Sequence, residues 1–530
     1  MSIFQAILLG GLYWIFGTEI GYGMNYPFFM QPLTLGPLVG IILGDVQTGL
    51  ICGATIQPMY LAFMGGGGVM PNDKAAAGII PTAMVIAGGL DISAAVALAI
   101  PCGLLCAQLH TLKKLVASTW LMMSEKAADQ ANPGKLYMAT WVYPQLFKIL
   151  LYWIPISIIC YFGTDLVSKI MANMPVWLTN GLSVVGGAMP AIGMAVTINV
   201  IGKVDLLPFF IAGFFAVQYT GMGNIALVVL GLFLTYLYMK FSGNNGEMEE
   251  VEEILEDSDR EKLLTEKDLM KNWLLWNGAC EVTTSFDRLQ AQAFCAAITP
   301  AMKKIYGEDK EALSDAMNRH LQFYNTSGNW GCLINGIVLA MEEQKSQDMP
   351  IPGEAIDGVK VGLMGPLAGI GDTVDWGTVT PLVQAFFIPL AQAGHLWAPF
   401  AAAAICACYA GAVGYSLINL GYNLGTQAAT RILSSGKMQK VVTFFGVLGL
   451  FMLGGLSAGF VKVSTPIQIP MGTEFFSIQA NLLDAILPGV LSLGLIMAIY
   501  GYLRKKGNIM KALAVVLFGS LILGCLGILG

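Results

Sequence analysis

The chain has 530 residues, of which 55% are hydrophobic and 12% charged, and its net charge is -6. A charged share about half that of an average soluble domain excludes a large soluble enzyme and points to a polytopic membrane protein. The net charge says little about partners, because the surplus acid sits in one short segment, and nucleic acid is not among the partners expected.

The first apolar run, Ile3–Phe16, has no Lys or Arg before it and does not read as a cleavable signal. Apolar spans are predicted over Ile3–Glu19, Leu33–Leu50, Ala76–Leu90, Ala95–Leu109, Leu146–Phe162, Leu182–Val200 and Leu206–Met239. The last is long enough for two short passes or one span plus a re-entrant piece. His110–Tyr143 carries Lys113, Lys114, Lys126 and Lys135 and reads as a cytoplasmic amphipathic loop or surface helix.

Several polar residues interrupt these spans. Four glycines and Pro71 between Tyr60 and Thr82 cannot continue an ordinary helix, and Asn72 or Asp73 is placed to cap the next one. The stretch is either a surface turn with a capping acid or a broken-helix site whose carboxylate and amide can bond several hydroxyls at once. Gln57 is either helix glue or a ligand group, and Asn25, near another break, carries the same two readings.

Glu247–Lys262 holds nine acids and two bases and reads as a solvated linker, with an acidic docking patch as the alternative. Leu264–Asp348 is rich in charge, with helices predicted over Lys267–Trp276, Phe286–Ile298 (stopped by Pro300) and Lys310–Tyr324. Thr265 and Asp268 have capping-box spacing. Asp287 and Arg288 read as a local surface pair, with Gln290 on a nearby helix face, and His320 as a structural residue at a helix end.

Gly358–Pro381 is the most informative stretch. It sets Asp372 and Asp375 among glycines and apolar residues. A charge at membrane depth costs roughly a few kcal/mol, so such residues are rare and usually functional. Glycine and proline there suggest a broken helix lining a transport cavity. Further spans follow over Ala385–Ala393, Pro399–Leu420, Val441–Phe460, Ala485–Leu503 and Ala512–Leu529. The Arg504, Lys505 and Lys506 cluster is expected in the cytoplasm. Ten scattered cysteines without a CxxC pair read as small buried thiols, and three distant histidines form no zinc motif. No metal or cofactor is expected.

Taken together, SFDRLQAQAFC (285–295), RHLQFYNT (319–326), AMEEQ (340–344) and GVKVGLMGPLAGIGDTVDWGTV (358–379) resemble the IID component of mannose-type sugar phosphotransferase permeases. The first half is similar to the partner IIC component through PLVGIILGDVQTGLICGATIQ (37–57), MPNDKAAAG (70–78) and VGGAMPAIGMAV (185–196). The resemblance implies a IIC-like domain over 1–243, an acidic linker over 244–264 and a IID-like domain over 265–530. Within the last, 265–348 would hold charged cytoplasmic-side helices and 358–530 the membrane part.

By the same resemblance the fold is an all-α polytopic membrane transporter with two membrane domains, broken or re-entrant helices and elevator-type core domains. It would lie in the lipid of the bacterial cytoplasmic membrane as a homotrimer of the fused chain. It would bind an extracellular sugar and translocate it, coupled to phosphorylation by a phosphorylated soluble IIB, with IIA as the further partner. The chain would be the membrane subunit of a phosphoenolpyruvate-dependent complex and hold no phosphohistidine of its own.

The implied substrate site takes Asp73, with Asn72 and Lys74, from the first half. From the second it takes Asp287 with Ser285, Arg288 and Gln290, and the Asp372 loop with Asp375 and Trp376. Four positions depart from the family pattern: Gln57 where glutamate is frequent, Asn25 where mannose transporters have an acid, Asp375 where apolar residues are common, and Lys74 in place of a small residue. These argue for another hexose, an amino sugar or a sugar–amino acid adduct. An ion-coupled secondary sugar transporter is the alternative that broken helices and membrane carboxylates leave open. A sugar-sensing receptor fits the apolar, two-halved plan less well.

Overall fold

The computed structural model describes residues 1–17, 19–61, 72–171, 175–201, 204–241, 262–285, 288–347, 351–425, 437–471, 474–505 and 507–530. The glycine run before Asp73, nearly all of the acidic linker, Asp287 and Lys506 lie outside the described residues. Helices dominate. Among the described residues four are long and apolar enough to cross a membrane, and a fifth span arises if one bent pair counts as a unit.

Local sequence explains where helices start and stop. The expected span Leu33–Leu50 is instead two helices, Pro32–Leu43 and Val46–Ile56. Gly44 adopts φ 90° at the turn, and Asp45 accepts a hydrogen bond from the Thr48 amide to start the second helix. The pair interlocks through glycines. A Cβ on Gly36 would lie 2.3 Å from the Gly49 carbonyl oxygen, and one on Gly49 would lie 2.4 Å from that of Gly36.

His110–Tyr143, expected as an amphipathic loop or surface helix, is helical over most of its length, and His110–Asp129 completes one helix, Ile92–Asp129, capped by Asp91 and running through Pro101. At 38 residues it is about 57 Å long, more than a bilayer core requires. Its His110 and Lys113 are buried against a protein partner, contrary to that reading, whereas Lys126 and Lys135 are exposed in keeping with it. Pro133–Met171 is a helix wound twice into π-helical turns, at Met138–Val142 and Ile149–Trp153.

The expected break within Gly358–Pro381 is also corrected. The helix runs on from Gly353 to Gln392, and the polar residues Asp372–Val379 form a π-helical stretch within it. A π stretch inserts extra residues into the turn and re-aims side chains without ending the helix. The sharp break lies elsewhere, a 67° bend between Ile478–Ile486 and Val490–Arg504. Pro300 does not stop its helix either, which extends over Ala291–Tyr306. The capping box at Thr265 and Asp268 is present, and the cysteines are unpaired.

The all-α expectation misses one hairpin. Gln468–Met471 pairs antiparallel with Glu474–Ser477, with Ile469 opposite Phe476. Apolar and aromatic residues on both sides of a glycine favour the extended form over the helix there.

The two halves pack through extensive helix pairs. Leu207–Thr220 lies against Lys437–Phe460, Val176–Ala188 against Ile509–Cys525, and Pro190–Ile201 against Val490–Arg504. The first crossing is set by reciprocal glycines. A Cβ on Gly213 would lie 1.9 Å from the Phe451 carbonyl oxygen, and one on Gly454 would lie 1.9 Å from that of Phe210.

Glu343 fixes the start of the second half. Its carboxylate accepts hydrogen bonds from the amides of Leu263 and Leu264, at 2.8 and 2.9 Å, and from the Tyr422 hydroxyl at 2.8 Å. The charged helices that follow close around a core of Trp276, Phe294 and Tyr324, with the Phe294 and Tyr324 rings 4.3 Å apart.

A side chain at Gly454 has no room, so Gly454→Leu should destabilise the protein by about 1–3 kcal/mol and lower the yield of monodisperse protein. Gly459→Ala, where the added methyl meets nothing within 4 Å, is the control expected to leave the melting temperature in detergent unchanged.

Candidate functional site

Two buried polar centres flank the segment Glu19–Gln31, which links the first helix to the Pro32–Leu43 helix. The first centre gathers ionisable groups from four helices or their caps. Asp73 caps the Lys74–Gly88 helix through an Ala76 N–H bond of 2.9 Å to Oδ1. Its Oδ2 accepts from the Tyr13 hydroxyl and lies 3.0 Å from His110 Nε2. His110 Nδ1 faces Glu19 at 3.3 Å and the Tyr152 hydroxyl at 3.2 Å.

Glu19 also pairs with Lys113, and Lys148 Nζ stands 3.6 Å away. His110 and Lys113 share a face of the long helix, three residues apart, and Lys148 and Tyr152 share one on the next, four apart. Glu19 takes φ 63°, a left-handed backbone uncommon for a residue with a Cβ. That strain holds its carboxylate among the two lysines and the imidazole.

Asn72 is tied in beside Asp73. It accepts from the Tyr60 hydroxyl at 3.2 Å and donates to the Ile100 carbonyl at 3.3 Å. A Cβ on Gly103 would lie 1.7 Å from Asn72 Oδ1, so only glycine admits this contact. Lys74 is buried and has no ion-pair partner among the described residues.

The second centre is a cavity walled by Tyr22 and Gly23 from the first half and by Asn329, Asp375, Trp376 and Tyr409 from the second. Asp375 Oδ1 accepts from Trp330 Nε1 at 2.9 Å and from the Tyr409 hydroxyl at 2.6 Å, and Oδ2 accepts from Asn329 Nδ2 at 2.9 Å. The Trp376 indole donates to the Tyr22 hydroxyl at 3.0 Å, and its ring meets Tyr22 and Tyr26 edge-on at 5.7 and 5.9 Å. Asp372, one turn earlier, is half-buried and has no hydrogen-bond partner among the described residues.

The remaining predicted residues do other things. Gln57 belongs to an amide cluster joining the halves. It accepts from the Leu33 amide at 2.9 Å and donates to Gln31 at 2.9 Å and Gln384 at 3.0 Å. Asn25 opens the π-helical turn Asn25–Phe29, with its buried Oδ1 unpartnered among the described residues.

Gln290 braces loops, donating to Glu281 at 2.6 Å and accepting from the Thr326 amide at 2.8 Å. Ser285 accepts from the Arg288 amide at 3.2 Å. Arg288 pairs with Glu125 of the long helix at 2.9 Å and donates to the Leu321 carbonyl at 2.9 Å. It thus ties the two halves together. Away from both centres, His320 sits in the last turn of Lys310–His320, 2.7 Å from Glu342. Although burial opposes it, bonds from His320 and Arg319 hold the Glu342 carboxyl down to about 2.

Sequence reasoning missed Glu19, His110, Lys113 and Lys148 as one cluster, and Asn329, Trp330 and Tyr409 around Asp375. The signal for the first group was present: Lys148 interrupts the apolar run LFKILLYW, where an unpaired ammonium is unfavourable. Nothing local marks the second group, because its members come from three separated segments.

Comparison with known proteins assigns both halves. Residues 263–529 match the family model described as the mannose/fructose/sorbose family IID component of the PTS system. Residues 3–237 match that described as the PTS system sorbose-specific IIC component. The PTS system mannose-specific EIID component of Escherichia coli K12 is 35% identical over 253 residues, which is 47% of this chain and 89% of that protein. The fructose permease IID component of Bacillus subtilis is 32% identical over 274 residues, 51% of this chain and 97% of the relative. The Escherichia coli K12 mannose-specific EIIC component is 35% identical over 217 residues, 40% of this chain and 80% of its own length.

The ionic cluster and the Arg288 pair should differ sharply in energetic weight. Glu19→Gln leaves Lys113 and Lys148 buried without their carboxylate and should cost about 3–5 kcal/mol. Arg288→Ala breaks a partly exposed pair and should cost no more than about 1 kcal/mol. Thermal unfolding of the two purified variants checks the order.

Proposed function

We propose a transport function from one premise: the chain belongs to the mannose/fructose/sorbose family of PTS permeases, and it carries that family's IIC and IID components in one polypeptide. The protein binds a sugar on the outer side of the bacterial cytoplasmic membrane and moves it inward. A phosphorylated soluble IIB, recharged by IIA, then transfers its phosphoryl group to a sugar hydroxyl. The chain works in lipid as a homotrimer, and its core shifts across the membrane in an elevator-like step.

What supports this reading is that both family components lie in one chain and meet at one cavity, with Tyr22 and Gly23 on one wall and Asp375 and Trp376 on the other. Aromatic rings beside the Asp375 carboxylate, with Asp372 one turn away, suit a sugar, whose C–H faces pack on rings and whose hydroxyls donate to carboxylate oxygens. Among the carboxylates, Asp372 is the candidate direct ligand. Asp73 spends both oxygens on protein donors, so it positions the site and its loss disturbs folding as well as uptake.

Membrane vesicles holding the chain should accumulate sugar phosphate only when supplied with phosphorylated IIA and IIB. Accumulation of unmodified sugar that stops when ion gradients collapse would replace this reading with ion-coupled transport. Asp372→Asn should lower uptake by at least about tenfold, a loss of about 1.4 kcal/mol in transport, with an unchanged melting temperature. Normal uptake by that variant removes Asp372 from the site.

A further inference from the structure

The cavity around Asp375 has an unbalanced charge. Asp375 is 2% exposed and lies in a chain built for lipid. Its three donors, Asn329, Trp330 and Tyr409, are all neutral, and no lysine, arginine or histidine pairs with it among the described residues. Two other buried carboxylates are paired with cations: Glu19 has two lysines, and Glu342 has Arg319 and His320.

A second observation is independent of the charge. Asn329, 4% exposed, donates through Nδ2 to Asp375, which fixes its amide orientation, yet its buried Oδ1 has no partner among the described residues. That oxygen looks toward Gly23 on the opposite wall, since a Cβ there would lie 3.5 Å from it. Native structures rarely leave such an acceptor unsatisfied, and each one asks for an explanation. Thr380 and Tyr22, each carrying a hydroxyl, also line the cavity.

The chemistry wanted is therefore a donor or positive centre that meets several oxygens at once. A sugar hydroxyl brings one proton and no charge. A small cation meets every oxygen, cancels the carboxylate and lies against the Tyr22 and Trp376 rings, whose faces attract positive charge. From this geometry we infer that the Asp375 cavity is a binding site for a small monovalent cation, either a free ion such as sodium or ammonium, or a protonated amine carried by the sugar. The site stands independently of the transport reading, because binding is measurable without uptake or phosphoryl transfer.

The test uses the purified full chain in detergent. Its melting temperature is followed against sodium, ammonium and choline chlorides at equal ionic strength, and its affinities for glucosamine and glucose are compared. Saturable stabilisation by sodium or ammonium over choline, by about 2 °C or more, supports a free-ion site. A preference for glucosamine over glucose of about tenfold or more supports a ligand-borne amine.

Asp375→Asn should abolish whichever effect is seen. Tyr409→Phe retains the carboxylate and removes a neutral donor, so the effect should persist or grow even if the first variant folds poorly. Equal response to all three chlorides together with equal affinity for both sugars overturns the site. So does an effect that survives Asp375→Asn, or one that disappears in Tyr409→Phe. Cation binding without uptake in the presence of phosphorylated IIA and IIB would remove the transport reading and leave the site standing.

Discussion

The burial of Glu19 among Lys113, Lys148 and His110 is the constraint on which the first half depends. Moving any one of these charges out of water is costly, and only the others repay it. The partners come from two helices, His110 and Lys113 from one and Lys148 from the next, so those helices and the Glu19 segment have one register relative to each other. Asp73 extends the same network to the helix it caps, and Tyr13 brings in the first helix. A hydrophobic interface tolerates sliding, whereas a charge network at this depth does not. The left-handed backbone of Glu19 is where local strain is accepted to satisfy that geometry.

The second constraint is close approach. Apolar side chains gain little from each other in lipid, so helices there associate through packing of small residues. Reciprocal glycines at Gly36 and Gly49, and at Gly213 and Gly454, let backbones come nearer than any Cβ permits. The Gly213 contact joins the first half to the second, and the Gln31, Gln57 and Gln384 amides add a polar join. With Arg288 on Glu125, the two components of the fused chain meet as one packed body and not as domains on a tether.

Much of this was legible in the sequence, and the exceptions share a cause. Asp73 as a cap and the Thr265 capping box follow from short-range rules and appear where expected. Lys113 was misread because a basic residue in a helix looks solvated until its partner, 94 residues away, is known. The stretch at Asp372 was read as a break because glycine and proline weaken helices. In the structure the neighbouring helices hold it in π-helical form, a tertiary effect no local pattern encodes. The three donors to Asp375 were invisible for the same reason, being non-local.

Asp372 and Asp375, three residues apart, illustrate how environment divides like residues into different roles. On an ordinary helix they would share a face and repel each other. The π-helical winding gives Asp375 to the protein interior, where three neutral donors fix it, and leaves Asp372 half-buried without a protein partner. A carboxylate whose geometry is fixed by donors but whose charge is not balanced is prepared for a cation. One with neither donors nor charge balance is prepared for whatever polar group arrives from solvent. Asp375, held in a shell of donors, is thus the carboxylate on which the inferred cation site rests, and Asp372, without a protein partner among the described residues, is the one proposed to hold a sugar hydroxyl.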